Sequence, residues 1–407
     1  WRPAEQEKLM MRSAVIAPLK IALLAAGLTA LAGCSMNLFS SEEGEQKAAI
    51  ENSSAETTSD ISILWRSDLD QRRPASNGGI SNPAVAKSKD GEMIVAGAQD
   101  RRVRVFNGSG REIHRVALTA AGESGGLQLA NGLVVVGDVA GKVFGIDIDQ
   151  GRVVWTVELS SSLLSRPVLI GNDFIMQTEN NQVFRFSDSG QKIWSYSGPP
   201  GSLGMQLLPS PVVHRDQIYV AMRNGDVVAL RADSGSFLWQ RKLLINSNAS
   251  VLRDLKVPVA TALLITAEQS GHQEDMLAVP LFQGELFFLS LQDGSTLMSR
   301  AISLKSSPLL IGKRVYVADA HGAVSMLDAA TADTLWKQQV SSGELTGPIY
   351  WNKMLWVADE FGKVYRLNLD GKLLATVELG GRIDLAPVVS SDGVLVRNNL
   401  GTLFKLR

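Results

Sequence analysis

The chain reads as all-β, and three observations carry that reading. First, the text GDVAGKVFGIDIDQGRVVWTVEL at residues 137–159 returns in related form at 225–243, 322–340 and 362–379, a self-similarity with a period near 40 residues. Second, three markers recur in fixed register. A proline opens a strand at Pro83, Pro167, Pro211, Pro258, Pro308, Pro348 and Pro387. A hairpin turn follows at Arg101, Gly141, Asn181, Gly225, Gly284, Gly322, Gly362 and Gly401, and a large residue sits in a last strand at Trp65, His114, Trp155, Trp194, Trp239, Met298 and Trp336, with Ala375 in the same register. Third, no helical period competes with the period-2 alternation of the strands.

From Pro167 to Asn181, Pro211 to Gly225, Pro308 to Gly322, Pro348 to Gly362 and Pro387 to Gly401 the distance is 14 residues, room for two ordinary strands and a tight turn. Another 13 or 14 residues lead to the tryptophan position. Each unit is therefore four antiparallel strands, A to D. Proline suits a strand opening because it has no ladder bond to lose there, and Gly or Asn supplies the positive φ of a tight turn. Such a unit cannot bury both faces alone, so it must stack on its neighbours. The first tryptophan position, in 61–69, precedes any strand A, and the last unit stops on its third strand. The N-terminal strand must then complete the final blade. The expected architecture is an eight-bladed β-propeller of four-stranded antiparallel blades, closed by that strand.

Taken in order, residues 1–10 fit no element and read as upstream sequence, with initiation at Met10 or Met11. Residues 11–33 have the parts of a secretory signal, with Arg12 and Lys20 ahead of the apolar run 21–31. Leu31-Ala32-Gly33-Cys34 resembles the lipobox of bacterial lipoproteins, which implies cleavage before Cys34 and its acylation. Cys34 is the single cysteine, so no internal disulfide is expected despite export. Ser35, where aspartate would favour inner-membrane retention, points to the outer membrane. Residues 34–60, rich in Ser, Glu, Ala, Asn and Thr, read as a flexible, mildly acidic tether. Residues 61–407 form the propeller.

Blade five is irregular. Its excess lies in 246–256 and 266–276, polar stretches with few strand formers that read as long loops, where function tends to sit. The link 197–208 is also enlarged and carries apolar Leu203, Met205, Leu207 and Leu208, either tucked under the loop or offered to a partner.

The net charge of −1 gives no electrostatic footprint for nucleic acid. Four histidines, His114, His214, His272 and His321, fall in four different blades without ligand-spaced companions. Asp138, Asp319 and Asp359 each stand three residues before their turn glycine, the place of a carboxylate that caps its own hairpin. No nucleophile elbow, HExxH, CxxC or Walker loop is present. No catalytic residue, metal or cofactor is assigned.

The unit D/N-x-x-x-G-x-x-x-W resembles the quinoprotein-like repeat. Together, the lipobox, the acidic-polar tether and eight repeats closed by the N-terminal strand resemble the BamB family of outer-membrane assembly lipoproteins over residues 11–407. The resemblance implies a non-catalytic scaffold, lipid-anchored at the periplasmic face of the outer membrane. It would bind the POTRA domains of BamA and other subunits of the barrel-assembly machinery, and help hand over unfolded barrel precursors. In that family a Leu-x-Leu-Arg patch and a pair of acidic residues make the contact. Leu203 matches the patch, Met205 is a conservative replacement and Gln206 stands where Arg is expected; in the second loop Arg253 and Asp254 lie in place, with one acid rather than two. Two other classes stay open: a periplasmic ligand-binding propeller unrelated to barrel assembly, and a quinoprotein dehydrogenase, which the lone cysteine and the lack of cofactor-roofing insertions disfavour.

Overall fold

The computed structural model describes residues 61–70, 81–199, 209–243 and 257–407. Eight four-stranded antiparallel sheets follow one another along the chain, at residues 84–117, 122–158, 168–197, 212–242, 263–300, 309–339 and 345–378, the eighth combining 388–406 with 63–68. In that last blade the strand Ile63–Asp68 lies against Thr402–Leu406, with Ser62 and Arg407 exchanging backbone bonds at 2.9 Å. Strands A of neighbouring blades touch one another around the axis. The inner strands therefore ring a centre, and strands D form the rim.

The core is a ring of layers, each made by two successive blades. Blades one and two share Val95, Val105, Val136 and Ile146; blades two and three share Val143, Phe174 and Phe186. The series continues around the ring to Ile94, Phe106, Leu395 and Leu403, which join blade eight back to blade one. Burying such a side chain is worth about 1.5–3 kcal/mol, so closing the ring converts two exposed sheet faces into one more core layer. Polar groups reinforce that seam. Buried Lys405 reaches Glu92 of blade one at 3.4 Å and the Gly108 carbonyl at 3.1 Å, and Glu92 accepts from Ser390 Oγ at 2.6 Å.

The turn aspartates do what their register implies. Asp138 Oδ1 accepts from the amides of Ala140 and Lys142 at 3.0 and 2.8 Å, Asp319 Oδ1 from His321 and Ala323 at 2.9 Å each, and Asp359 Oδ1 from Phe361 and Lys363 at 3.0 and 2.9 Å. Positive φ falls on Arg101, Gly141, Asn181, Gly225, Gly322, Gly362 and Gly401 as expected, but in blade five it falls on Gln283 (φ 51°) and not on Gly284. Two proline expectations also shift. Pro348 lies inside the strand Leu345–Trp351, at a register slip that spares the ladder its missing N–H. Pro258 makes an isolated bridge with Leu281, ahead of strand A of its blade at Leu263–Ile265.

Most strand-D aromatics interlock neighbouring blades. Trp65, Trp155, Trp194 and Trp239 donate Nε1–H to the carbonyls of Gly108, Asp188, Ala232 and Leu291, in the C–D turn of the next blade, at 3.1–3.2 Å. Each indole lies on that turn's left-handed glycine: Gly110, Gly190, Gly235 and Gly294. Only Trp194 counts as buried, the others being half-exposed. His114 takes the same position, its Nε2 3.1 Å from the Asp149 carbonyl and its ring on Gly151. Met298 does not fully share the task. The next turn has Ala332 (φ 56°) in place of glycine, and Arg300 supplies the hydrogen bonds, to the carbonyls of Ala332 and Thr331 at 2.8 and 2.6 Å. Ala375 has a topological reason: blade eight has no C–D turn, because its strand D comes from the other end of the chain.

Candidate interaction face

Antiparallel order assigns the connections to two faces of the ring. A–B and C–D turns lie on one face, B–C turns and D-to-A links on the other. The segments 71–80, 200–208 and 244–256 all fall between a strand D and the next strand A, so the described residues that flank them open on one face. Their described flanks lie beside B–C turns. Asn181 Nδ2 donates to the Pro199 carbonyl at 2.7 Å, the Gly198 amide to the Asn181 carbonyl at 2.9 Å, the Leu243 amide to the Gly225 carbonyl at 3.2 Å, and the Phe282 amide to the Val257 carbonyl at 3.1 Å. The expected contact residues Leu203, Met205, Gln206, Arg253 and Asp254 lie outside the described residues, as does Cys34.

The second insertion of blade five is neither irregular nor on that face. It joins strands A and B and contains a single helical turn, Ala267–Ser270, closed by Gly271 in the left-handed region. Thr266 and Gln269 form a reciprocal capping box. Asp275 fastens the turn to blade four. It accepts from the Ala267 amide at 2.8 Å and lies 2.9 Å from His214 Nε2 and 3.1 Å from Arg215. The Ala267 amide bond holds the Asp275 carboxyl below its usual range, partial burial opposing it and the His214 bond adding to it. His272 reaches the Ala330 carbonyl of blade six at 2.6 Å. These bonds make the insertion a clamp across three blades.

On the link face, blades six to eight carry a charge network that no local sequence pattern announces. Buried Lys305 donates to Glu344 at 3.1 Å and Asp384 at 2.9 Å, and Arg382 binds Asp384, Glu344 and Glu360 at 2.6, 3.1 and 3.1 Å. Burial pushes the Asp384 carboxyl up, but the bonds to Lys305 and Arg382 outweigh it and leave it below the usual range. Beside this network Phe361 and Leu400, in the B–C turns of blades seven and eight, are 53% and 48% exposed. The described part of this face thus offers apolar tips set in charge. Such a surface suits protein contact. Among the described residues no three His, Cys, Asp or Glu side chains converge as a metal site.

Known proteins agree with this architecture. The family model described as outer membrane protein assembly factor BamB matches residues 99–338 and 320–406. The curated relative of that description from Bordetella pertussis is 26% identical over 392 residues, covering 95% of this chain and 96% of its own. The one from Escherichia coli strain K12 is 25% identical over 403 residues, covering 93% and 96%. Among solved structures, BamB from Moraxella catarrhalis superposes with a TM-score of 0.71 at 17% identity, over 85% of this chain and 99% of that one. A quinohemoprotein alcohol dehydrogenase from Comamonas testosteroni reaches 0.66 at 12% identity, covering 86% and 77%, a likeness of fold alone. With the family model matched over most of the repeats, the chain belongs to the BamB family of outer membrane protein assembly factors.

Proposed function

We propose that this protein is a non-catalytic scaffold of the outer-membrane β-barrel assembly machinery. It is anchored by lipid on Cys34 at the periplasmic face of the outer membrane, and it binds the POTRA domains of BamA through the link face. The observation that carries the reading is the family match along nearly the whole chain. The opening of the described flanks of the D-to-A links on one face supports it, because those links contain Leu203 and Met205 as apolar anchors, with Gln206, Arg253 and Asp254 as polar contacts. Residue 61 joins the propeller on the other face, at the start of strand D of blade eight. Rim strands present unpaired edges with exposed Leu64, Val154, Ile193, Leu238, Leu297 and Leu335, a template an extended barrel precursor would pair with.

The test is capture of BamA's periplasmic domains by the propeller, residues 61–407, beside the double variant Leu203→Glu, Met205→Glu, with circular dichroism as the folding control. Binding lost in the folded variant supports both role and face. Binding that survives keeps the role and removes the site, and no binding by the unaltered propeller discards the role. Mass spectrometry of the N-terminal peptide, with and without Cys34→Ser, tests the anchor separately.

A further inference from the structure

Arg166 is a cation at the opening of an inner strand. It immediately precedes Pro167 at the opening of strand A of blade three, in the ring of residues around the axis. A Cβ at Gly125 of blade two would touch both the Arg166 stem at 3.6 Å and the Asn82 carbonyl of blade one at 3.6 Å, so three successive blades meet here. The residues ahead of the other strand-A prolines, among them Asn82, Ser210, Ser307 and Ala386, are neutral.

Arg166 combines exposure with close packing against the neighbouring blade. Its side chain is open to solvent, yet burial among protein atoms lowers its pKa from the usual arginine value, with no carboxylate acting on it. Arg104, Arg185, Arg223, Arg382 and Lys405 are all held by acids. Arg166 has only Nε–H donating to the Gly126 carbonyl, at 3.1 Å. A guanidinium has five N–H donors in a planar fork, and among the described residues the four on the terminal nitrogens of Arg166 have no acceptor. That fork matches two oxygens of a carboxylate or phosphate, and such charge-assisted pairs strengthen where water is confined.

We propose that Arg166 makes the central channel a binding site for a small oxyanion, a carboxylate or a phosphate, held by the two terminal guanidinium nitrogens. The site is independent of the scaffold reading. It uses the axis rather than the long links.

The test is an amide NMR titration of the full chain with inorganic phosphate and, separately, with acetate, followed at Gly125 and Gly126, for the unaltered protein, Arg166→Gln and Arg166→Lys. Saturable shifts at these glycines are expected, with affinity at least about tenfold weaker in Arg166→Gln and partly retained in Arg166→Lys. Saturation by acetate alone assigns the site to carboxylates, and saturation by phosphate alone assigns it to phosphates; both support it. Absence of saturation with either anion, or unchanged affinity in Arg166→Gln, overturns it. Should Arg166→Gln fail to fold, Arg166→Lys decides: it holds charge without the fork, so a preserved acetate affinity overturns the bidentate site.

Discussion

At the scale of single residues, the strand-D position shows how one register serves several chemistries. At Trp65, Trp155, Trp194, Trp239 and His114 the next blade supplies two things, a carbonyl for the ring nitrogen and a glycine under the ring, whereas Trp336 has the glycine, Gly371, and no acceptor for its Nε1–H. Where both exist, the residue is interchangeable. His114→Trp is expected to be neutral or stabilising by up to about 1 kcal/mol, since Asp149 and Gly151 are in place. Ala375→Trp is expected to destabilise by about 1–3 kcal/mol, because that fully buried site faces no turn and overpacks. Urea denaturation of the pair checks the contrast. Gly190→Ala tests the other partner: its φ of 80° and a Cβ placed 2.7 Å from the Trp155 ring predict a loss of about 2 kcal/mol or more.

Charge acts at the same scale. The depressed Asp384 contributes stability that is complete above the ordinary carboxylate pKa of 3.8 and is lost as pH falls through its lower folded value. Asp384→Asn should flatten the acid limb of the stability profile. At neutral pH it should cost about 1–2 kcal/mol, because buried Lys305 keeps Glu344 alone. Equal slopes for variant and parent below pH 4 would show that the network does not govern acid unfolding.

At the scale of elements, blade five separates what a local pattern reveals from what it hides. Its polar insertion reads as a loop because one helical turn is too short to display an amphipathic period. The signal that was legible is the pair Thr266 and Gln269, three residues apart, which is the spacing of a capping box. Thr266→Ala should cost about 1 kcal/mol. Its effect should be local, with faster hydrogen exchange at Gln269, Ser270 and Gly271 while the strands keep their protection. The slip of positive φ from Gly284 to Gln283 was not legible, since a glycine permits that backbone region without requiring it.

At the scale of the whole molecule, closure sets the stability of every blade. The strand Ile63–Asp68 pairs with Thr402–Leu406, and Leu69 enters the core layer between blades eight and one. Deleting residues 1–70 should leave a soluble chain with a markedly lower melting temperature and a tendency to associate through the bared edge. A peptide of residues 61–70 added in trans should restore part of the loss. An unchanged melting temperature would mean that seven blades and three strands suffice.

The sequence by itself determined the repeat, the four-strand unit, the number of blades, the closing strand and the hairpin caps. These rest on short-range causes: the alternation of a strand, the fixed φ of proline, the reach of a carboxylate to an amide two to four residues away. Only the tertiary structure decided which turn each strand-D aromatic grips, why Ala375 stands where a tryptophan is expected, which face receives the second insertion of blade five, and that Arg166 meets the Gly126 carbonyl rather than an acid. Those outcomes are set between groups distant along the chain, as in the bond from Ser390 to Glu92 across 298 residues. Such pairs leave no periodic trace, because the ring brings them together only when the last blade meets the first.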